Sequence, residues 1–137
     1  RRIMSTTSAA RNGELSAVRD YLARGESPEV RDSNGQTPLM IAIQAGDLEM
    51  AGDIVAATKF FDTKDNQGNT ALGLAAIHDK IEIAEILLAA GASPNVQNRQ
   101  GMTPLMLAAK EARLIIVEIL VYVQVLEIIE CTMMVIV

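Results

Sequence analysis

Aromatic residues are scarce in this chain of 137 residues: it has two Phe, two Tyr and no Trp, although half of its residues are hydrophobic. The core must therefore be built from Ala, Leu, Ile, Val and Met. Small side chains at helix contacts allow helices to approach closely, so this composition favours stacked helices over a core of large residues. The length suits one modest domain.

Cysteine and excess positive charge are also nearly absent. Cys131 is the single cysteine, so no disulfide can form within the chain, and a reducing compartment, the cytoplasm, is expected. The net charge of -5 argues against nucleic acid as a partner. The N-terminus has two Arg but no apolar run, which does not predict a secretory signal. Met4 as a natural start and a fragment of a larger protein are both open alternatives.

Motifs for catalysis, metal binding and phosphate binding are missing from the sequence. His78 is the single histidine, whereas a metal site needs several convergent ligands. The glycines do not form the patterns that cradle phosphates, and no group of residues suits acid–base catalysis. The sequence therefore predicts no enzyme activity, no cofactor and no metal.

What the sequence does contain is one pattern that returns every 33 residues. The segments NGQTPLMIAIQAGD, QGNTALGLAAIHDK and QGMTPLMLAAKEAR begin at Asn34, Gln67 and Gln100. The repeated positions are Gly35, Gly68 and Gly101; Thr37, Thr70 and Thr103; Leu39, Leu72 and Leu105; and Ala42, Ala75 and Ala108. A fixed period of this length is typical of a solenoid.

Each repeated position has its own physical role. The glycine lies in a polar stretch and supplies the positive φ of a turn. The threonine can cap the N-terminus of a helix, and Pro38 and Pro104 fit the first helical position, where the missing N–H has no cost. A second helix follows, and Gly91 is expected to end one of these in the left-handed conformation. Neither helix can bury its apolar stripe alone, so the units are predicted to stack.

These residues resemble the ankyrin repeat family. The match is best over residues 65–97, from Asp65 through Gly68 and Thr70 to Asn95. The resemblance implies an all-α solenoid of about four helix-turn-helix units with β-turn or hairpin connections. The predicted divisions are an N-terminal capping unit at 1–31, repeats at 32–64 and 65–97, an incomplete C-terminal repeat at 98–123, and an atypical hydrophobic tail at 124–137.

Two departures from the family pattern bear on stability and on binding. Met40, Gly73 and Met106 stand where the family usually has His, which removes a polar link between neighbouring turns and predicts modest stability. The second unit has AATKFFDTK in place of a Gly-Ala loop. Phe60 and Phe61 in that loop suit either a local core or an exposed anchor for a partner.

The end of the chain, VYVQVLEIIECTMMVIV at 121–137, contains no turn residue. As a membrane segment, residues 114–137 are long enough, but Glu118, Glu127 and Glu130 oppose burial in lipid. A second alternative is a longer apolar cap or a partner-binding helix. Terminal repeats usually have a polar outer face, and this segment lacks one. Self-association through this tail is also open.

A third alternative concerns the coding frame of the tail. Met133-Met134-Val135 must be encoded ATG-ATG-GTN, which reads Asp-Gly in a shifted frame, with nearly the spacing of another repeat. The tail would then be an out-of-frame repeat that was never selected to fold, and its Val- and Ile-rich sequence would be prone to β-association.

The resemblance also implies a function, namely a non-catalytic module that binds another protein through the turn tips and first helices of a concave face. The alternatives are a regulatory or targeting domain of a larger enzyme or channel, and a membrane-associated adaptor that uses the tail. The variable positions of the repeat are rich in Asn and Gln, which suits hydrogen bonding to a polar or mildly acidic protein surface. The predicted partner-binding residues are Arg11, Arg31, Ser33, Asn34, Gln36, Gln44, Lys64, Asn66, Gln67, Asn69, Ile77, His78, Arg99, Gln100 and Met102.

Overall fold

The structure is a computed structural model that describes residues 5–136. Within this range the regular secondary structure is all α-helix, and turns and irregular segments connect the helices. The helices are α1 (Thr6–Arg11), α2 (Leu15–Ala23), α3 (Pro38–Ala45), α4 (Leu48–Ala57), α5 (Ala71–Ile77), α6 (Ile81–Ala89), α7 (Pro104–Lys110) and α8 (Leu114–Ile136). Residues 1–4 of the predicted capping unit, with the alternative start at Met4, and Val137 of the predicted tail lie outside the described residues.

The helices form pairs that stack in chain order, so the predicted all-α solenoid is confirmed. Helices α1, α3, α5 and α7 pack one against the next in one layer, and α2, α4, α6 and α8 do the same in the other. Each helix also packs against its partner within the unit. The turns between units close by β-turn hydrogen bonds, as in the 3.0 Å bond from the N–H of Gly35 to the carbonyl of Asp32.

The predicted helix starts are confirmed for the first helix of three units. The hydroxyl oxygens of Thr37, Thr70 and Thr103 each accept a hydrogen bond from the backbone N–H three residues later, at 3.3, 3.2 and 3.4 Å. Pro38 and Pro104 occupy the first helical position, where no N–H is needed. The Thr hydroxyl therefore satisfies one of the N–H groups that a helix start leaves without a partner.

The breaks between the two helices of a unit all require a positive φ. Gly46 has φ 73°, and the equivalent positions are taken by Asp79 with φ 57° and Ala112 with φ 54°. Gly91, predicted to adopt the left-handed conformation, has φ 101° and lies just beyond α6. Ala112 is the most strained residue of this set. A Cβ disfavours the left-handed conformation, and Ala lacks the short polar side chain by which Asp tolerates it.

The core is a column of small side chains, as the composition predicts. Ala9, Ala42, Ala75 and Ala108 have no exposed surface at all, and each lies 33 residues after the one before. An alanine at this position lets the first helices of neighbouring units pack closely. Of the residues at the family's His position, Met40 is buried whereas Met106 is exposed. The modest stability that follows from the missing His stays a prediction.

Helix α8 differs from the other helices in its length of 23 residues. It passes the predicted boundary between 123 and 124 without a break, because no Gly or Pro occurs between Leu114 and Ile136. Its buried residues are Ile116 and Leu120. In the part of the chain that the structure describes, no helix has the combination of length and apolarity that a membrane crossing requires.

Candidate protein-binding surface

Three turns project from the stack, and each is held by one acidic or amide side chain. Oδ1 of Asp65 accepts hydrogen bonds from the backbone N–H groups of Gln67 and Asn69, both at 2.9 Å. Asp32 and Asn98 make the same pair of bonds in their own turns. These side chains fix the turn conformation before any partner binds. The 33-residue spacing of Asp32, Asp65 and Asn98 was the sequence signal for this role.

Neighbouring turns are joined by hydrogen bonds between their tips. The N–H of Asn66 donates to the carbonyl of Asn34 at 3.1 Å, and its side-chain amide donates to the carbonyl of Ser33 at 3.0 Å. One unit further on, the N–H of Arg99 donates to the carbonyl of Gln67 at 3.2 Å. The three tips therefore form one continuous edge instead of three independent loops.

The turn glycines are required by close approach as well as by their positive φ. A Cβ added at Gly35 would lie 2.9 Å from the backbone nitrogen of Asn66, and one added at Gly68 would lie 2.7 Å from that of Arg99. Gly101 has nothing within 4 Å of the added atom. Only a glycine lets the first two tips touch the next turn.

Two hollows lie between the turn tips and the first helices. One has a volume of about 460 Å³ and lies between the second and third units. The other has about 380 Å³ and lies between the third and fourth. Asn66, Gln67, Asn69 and Ile77 line both hollows. The predicted partner-binding residues that line at least one of them are Asn34, Gln36, Gln44, Asn66, Gln67, Asn69, Ile77, His78, Arg99 and Gln100.

A third hollow, of about 570 Å³, contains the cationic residues of the turn edge. Arg31, Lys64 and Arg99 line it together with Phe60. Phe60 is 58% exposed, whereas Phe61 is half-buried and packs against the core. The two phenylalanines therefore have different surroundings: one completes the core beneath the loop, and the other is free to contact a partner.

Several of the predicted partner-binding residues make structural contacts. The side chains of Arg31 and Lys64 donate to the carbonyls of Gly35 and Gln97, at 3.1 and 3.0 Å. The guanidinium of Arg11 pairs with the carboxylate of Asp32. The carbonyl of Ser33 accepts the bond from Asn66 described above, and Met102 packs against the core. Asn69 is only 4% exposed, and its Oδ1 accepts a 3.0 Å bond from the side-chain amide of Asn98. Their contact with a partner stays a prediction.

Lys110 and Glu111, which line the second hollow, lie outside the predicted set. Their positions at the end of α7 match those of Ile77 and His78 at the end of α5, 33 residues earlier. The repeat period thus marks them as variable positions of the repeat, like the residues of the predicted set.

Two of the titratable groups with shifted pKa values, His78 and Asp32, differ in the cause of the shift. Burial lowers the pKa of His78, and the positive charges of Lys80 and Arg113 lower it further. For Asp32, burial acts to raise the pKa, but hydrogen bonds from the backbone of Gln36 and from Arg11 outweigh burial and lower it. His78 is therefore mostly neutral at neutral pH, and Asp32 is ionised.

The geometry is that of a repeat surface made of turn tips and first helices. Among residues 5–136, no group of three or more His, Cys, Asp or Glu side chains is arranged to hold a metal ion. No curated protein matches the chain. The family model described as ankyrin repeats (3 copies) matches residues 7–98 and 63–129, which together span more than half of the chain. Ankyrin repeats are generally protein–protein interaction modules and are typically non-catalytic. The chain belongs to the ankyrin repeat family.

Proposed function

We propose that this chain is a non-catalytic cytoplasmic module that binds one partner protein across the two hollows between its second, third and fourth units. The observation that carries the proposal is that Asn66, Gln67, Asn69 and Ile77 line both hollows. A partner seated there contacts three consecutive units at once, and the third unit lies at the centre of the contact.

The chemistry of the hollows suits a polar partner surface with some negative charge. Amide side chains supply both donors and acceptors. Arg99 and Lys110 add positive charge at the second hollow, and Glu111 offsets one of these charges. Ile77 supplies an apolar contact between the two hollows. A partner segment with Asn, Gln, Ser and one or two acidic residues fits this pattern.

The rigidity of the turn tips supports binding. Each tip is fixed internally by Asp32, Asp65 or Asn98 and externally by a bond to a neighbouring tip. Binding therefore requires little loss of conformational entropy in the turns, and an ordered surface retains more of its contact energy as affinity.

The proposal is tested by capture of partners from native lysate with the full chain. Asn34, Gln67 and Gln100 are equivalent exposed tip residues. They contribute to the turns through their backbone atoms, so their replacement by Ala removes binding groups and leaves the turns intact. The matched control is Glu82→Ala with Glu85→Ala, both exposed on α6 in the other helix layer.

We expect the control to retain the proteins captured by the wild-type chain, and the triple variant to lose at least one of them. The readout is quantitative mass spectrometry, with circular dichroism to verify that both variants are folded. Retention of every captured protein by the triple variant would place the binding surface elsewhere.

A further inference from the structure

Helix α8 carries a second repeat, with a period of seven residues instead of 33. Pairs of large apolar residues recur at 114/115, 121/122, 128/129 and 135/136. All are exposed, from 43% at Val121 to 85% at Val135. The members of these pairs are Leu114 and Ile115, Val121 and Tyr122, Ile128 and Ile129, and Val135 and Ile136. A seven-residue apolar repeat on one helix face is the pattern of helices that pair side by side.

This apolar stripe lies on the side of α8 opposite to the stack. Ile116 and Leu120 face the stack and are buried. Gln124 continues that side, where its side-chain amide donates to Oδ1 of Asn95 at 3.0 Å. With 100° per residue, the centre of the pair 114/115 points roughly 170° away from the mean direction of these three residues, and that of the pair 135/136 roughly 110° away, because a seven-residue repeat drifts around a straight helix by roughly 20° per repeat. The stack therefore leaves the whole stripe uncovered.

Charge is segregated from the stripe in the projecting half of α8. Glu127 and Glu130 follow Ile116 and Leu120 around the helix, so they lie on the side that would face the stack if it extended further. The stripe itself has one charge, Glu118, between the first two apolar pairs. Leu126, Met133 and Met134 are also exposed and lie outside the stripe. It is therefore the seven-residue period, with Glu127 and Glu130 on the other side, that favours an interface over a sequence that was never selected to fold.

We propose that two copies of this chain associate through α8, which pairs with the α8 of the second copy in the antiparallel direction around a two-fold axis at Val125. The stripe is self-complementary about this residue, as a two-fold interface requires. The two-fold axis at Val125 places the pair 114/115 against the pair 135/136 of the second copy, and the pair 121/122 against the pair 128/129.

The position of Glu118 selects the antiparallel direction. In an in-register parallel pair, Glu118 would lie against Glu118 of the second copy, and like charges at a helix seam repel. In the antiparallel pair centred at Val125, Glu118 lies beside Thr132 of the second copy. The hydroxyl of Thr132 donates to the carbonyl of Ile128 in its own helix at 2.8 Å, and it can donate to the carboxylate instead when the pair forms. Each stack packs on the far side of its own α8, so the two stacks lie at opposite ends and do not meet.

The area of the stripe is sufficient for a stable dimer. The four apolar pairs and Val125 are all exposed, and covering them would bury on the order of 800 Å² per copy, the size of a standard protein interface. This dimer surface is separate from the two hollows, so both can be occupied together.

The dimer is tested by measuring the mass of the full chain in solution by light scattering during size-exclusion chromatography. We expect a mass twice the 14.7 kDa of one chain. Val125→Glu places like charges at the two-fold axis, and the mass should fall by half with the helix content unchanged. Cys131→Glu adds the same charge to the same exposed half of α8 but off the stripe, and should remain dimeric. A monomeric wild-type chain, a dimeric Val125→Glu variant or an open-ended aggregate would each overturn the proposal.

The direction of pairing is tested by disulfide cross-linking in a Cys131→Ser background. Leu114→Cys alone should not cross-link, because the two copies of residue 114 lie at opposite ends of the pair. Leu114→Cys mixed with Ile136→Cys should cross-link on mild oxidation. Efficient cross-linking of Leu114→Cys with itself would show a parallel pair and contradict the arrangement. None of these changes touches the two hollows, so their outcome is independent of the pull-down.

Discussion

The turn of the third unit and the turn of the fourth share the same local chemistry but have different neighbours. Gly68 and Gly101 have almost the same φ, 79° and 76°, and Asp65 and Asn98 hold the two turns in the same way. Yet a Cβ added at Gly68 would collide with Arg99 of the next turn, whereas one added at Gly101 would have nothing within 4 Å. Local sequence therefore determines the turn conformation, and contact with the next unit determines how strongly a substitution in the turn lowers the stability.

The largest effect is expected for Gly68→Ala compared with Gly101→Ala. Both variants place a Cβ at positive φ, which costs about 1–2 kcal/mol. Only at Gly68 does the Cβ also collide with the backbone of the next turn, 2.7 Å away. We expect Gly68→Ala to lower the free energy of unfolding by about 3 kcal/mol or more and Gly101→Ala by about 1 kcal/mol, measured by urea denaturation. Equal losses would mean that the turns do not touch.

A smaller effect is expected at the side chain that holds the third turn. Asp65→Ala leaves the N–H groups of Gln67 and Asn69 without their acceptor, and we expect a loss of about 2 kcal/mol in the free energy of unfolding. Asp65→Asn keeps the Oδ1 acceptor and should lower the free energy of unfolding much less, since Asn98 accepts the equivalent pair of hydrogen bonds one unit later. A large loss for Asp65→Asn would show that the charge, not the acceptor, matters.

Ala112→Gly should stabilise the last unit. Ala112 has φ 54°, and relief of this strain exceeds the entropy that a glycine adds to the unfolded chain. We expect a gain of about 0.5 kcal/mol. Ala109→Gly is the matched control, because Ala109 is exposed within α7, and it should destabilise by about 1 kcal/mol. If Ala112 is strained, thermal unfolding should show a higher melting temperature for Ala112→Gly and a lower one for Ala109→Gly.

The smallest effect concerns pH. The pKa of His78 should lie below its ordinary value of about 6.5, because burial and the charges of Lys80 and Arg113 disfavour the protonated form. The folded state then binds this proton less readily than the unfolded state. The contribution to stability is full above the ordinary pKa and falls as pH drops through it towards the folded pKa. An NMR titration of His78 checks the direction.

Lys80→Gln removes one of the two nearby positive charges and should move the titration midpoint of His78 upward. A midpoint at or above 6.5 in the wild-type chain would contradict the assignment of these causes.

Much of the fold could be predicted from the sequence because its determinants are local. A Gly at positive φ, a Thr cap and a Pro at the first helical position act within a few residues, and Gly35, Thr37 and Pro38 are visible as such in one unit. The register followed from the period, which also placed Ala42 and Ala75 in the core.

The parts that could not be predicted depend on contacts between units. The burial of Asn69 depends on where the next turn sits, and the pairing of Arg11 with Asp32 depends on how the first unit packs on the second. A longer helix was one of the alternatives for the tail. It could not be selected from the sequence, because the repeat pattern demands a loop near 124, while the local sequence has no residue that ends a helix.

The central claim, that neighbouring turns bond tip to tip, is tested most directly by native-state hydrogen exchange at Ser33, Asn66 and Arg99. These residues are equivalent in three successive units, and the N–H groups of Asn66 and Arg99 donate to the preceding turn. Within residues 5–136, the N–H of Ser33 makes no such backbone hydrogen bond. The account predicts slow exchange at Asn66 and Arg99 and fast exchange at Ser33. Equally fast exchange at all three would contradict it.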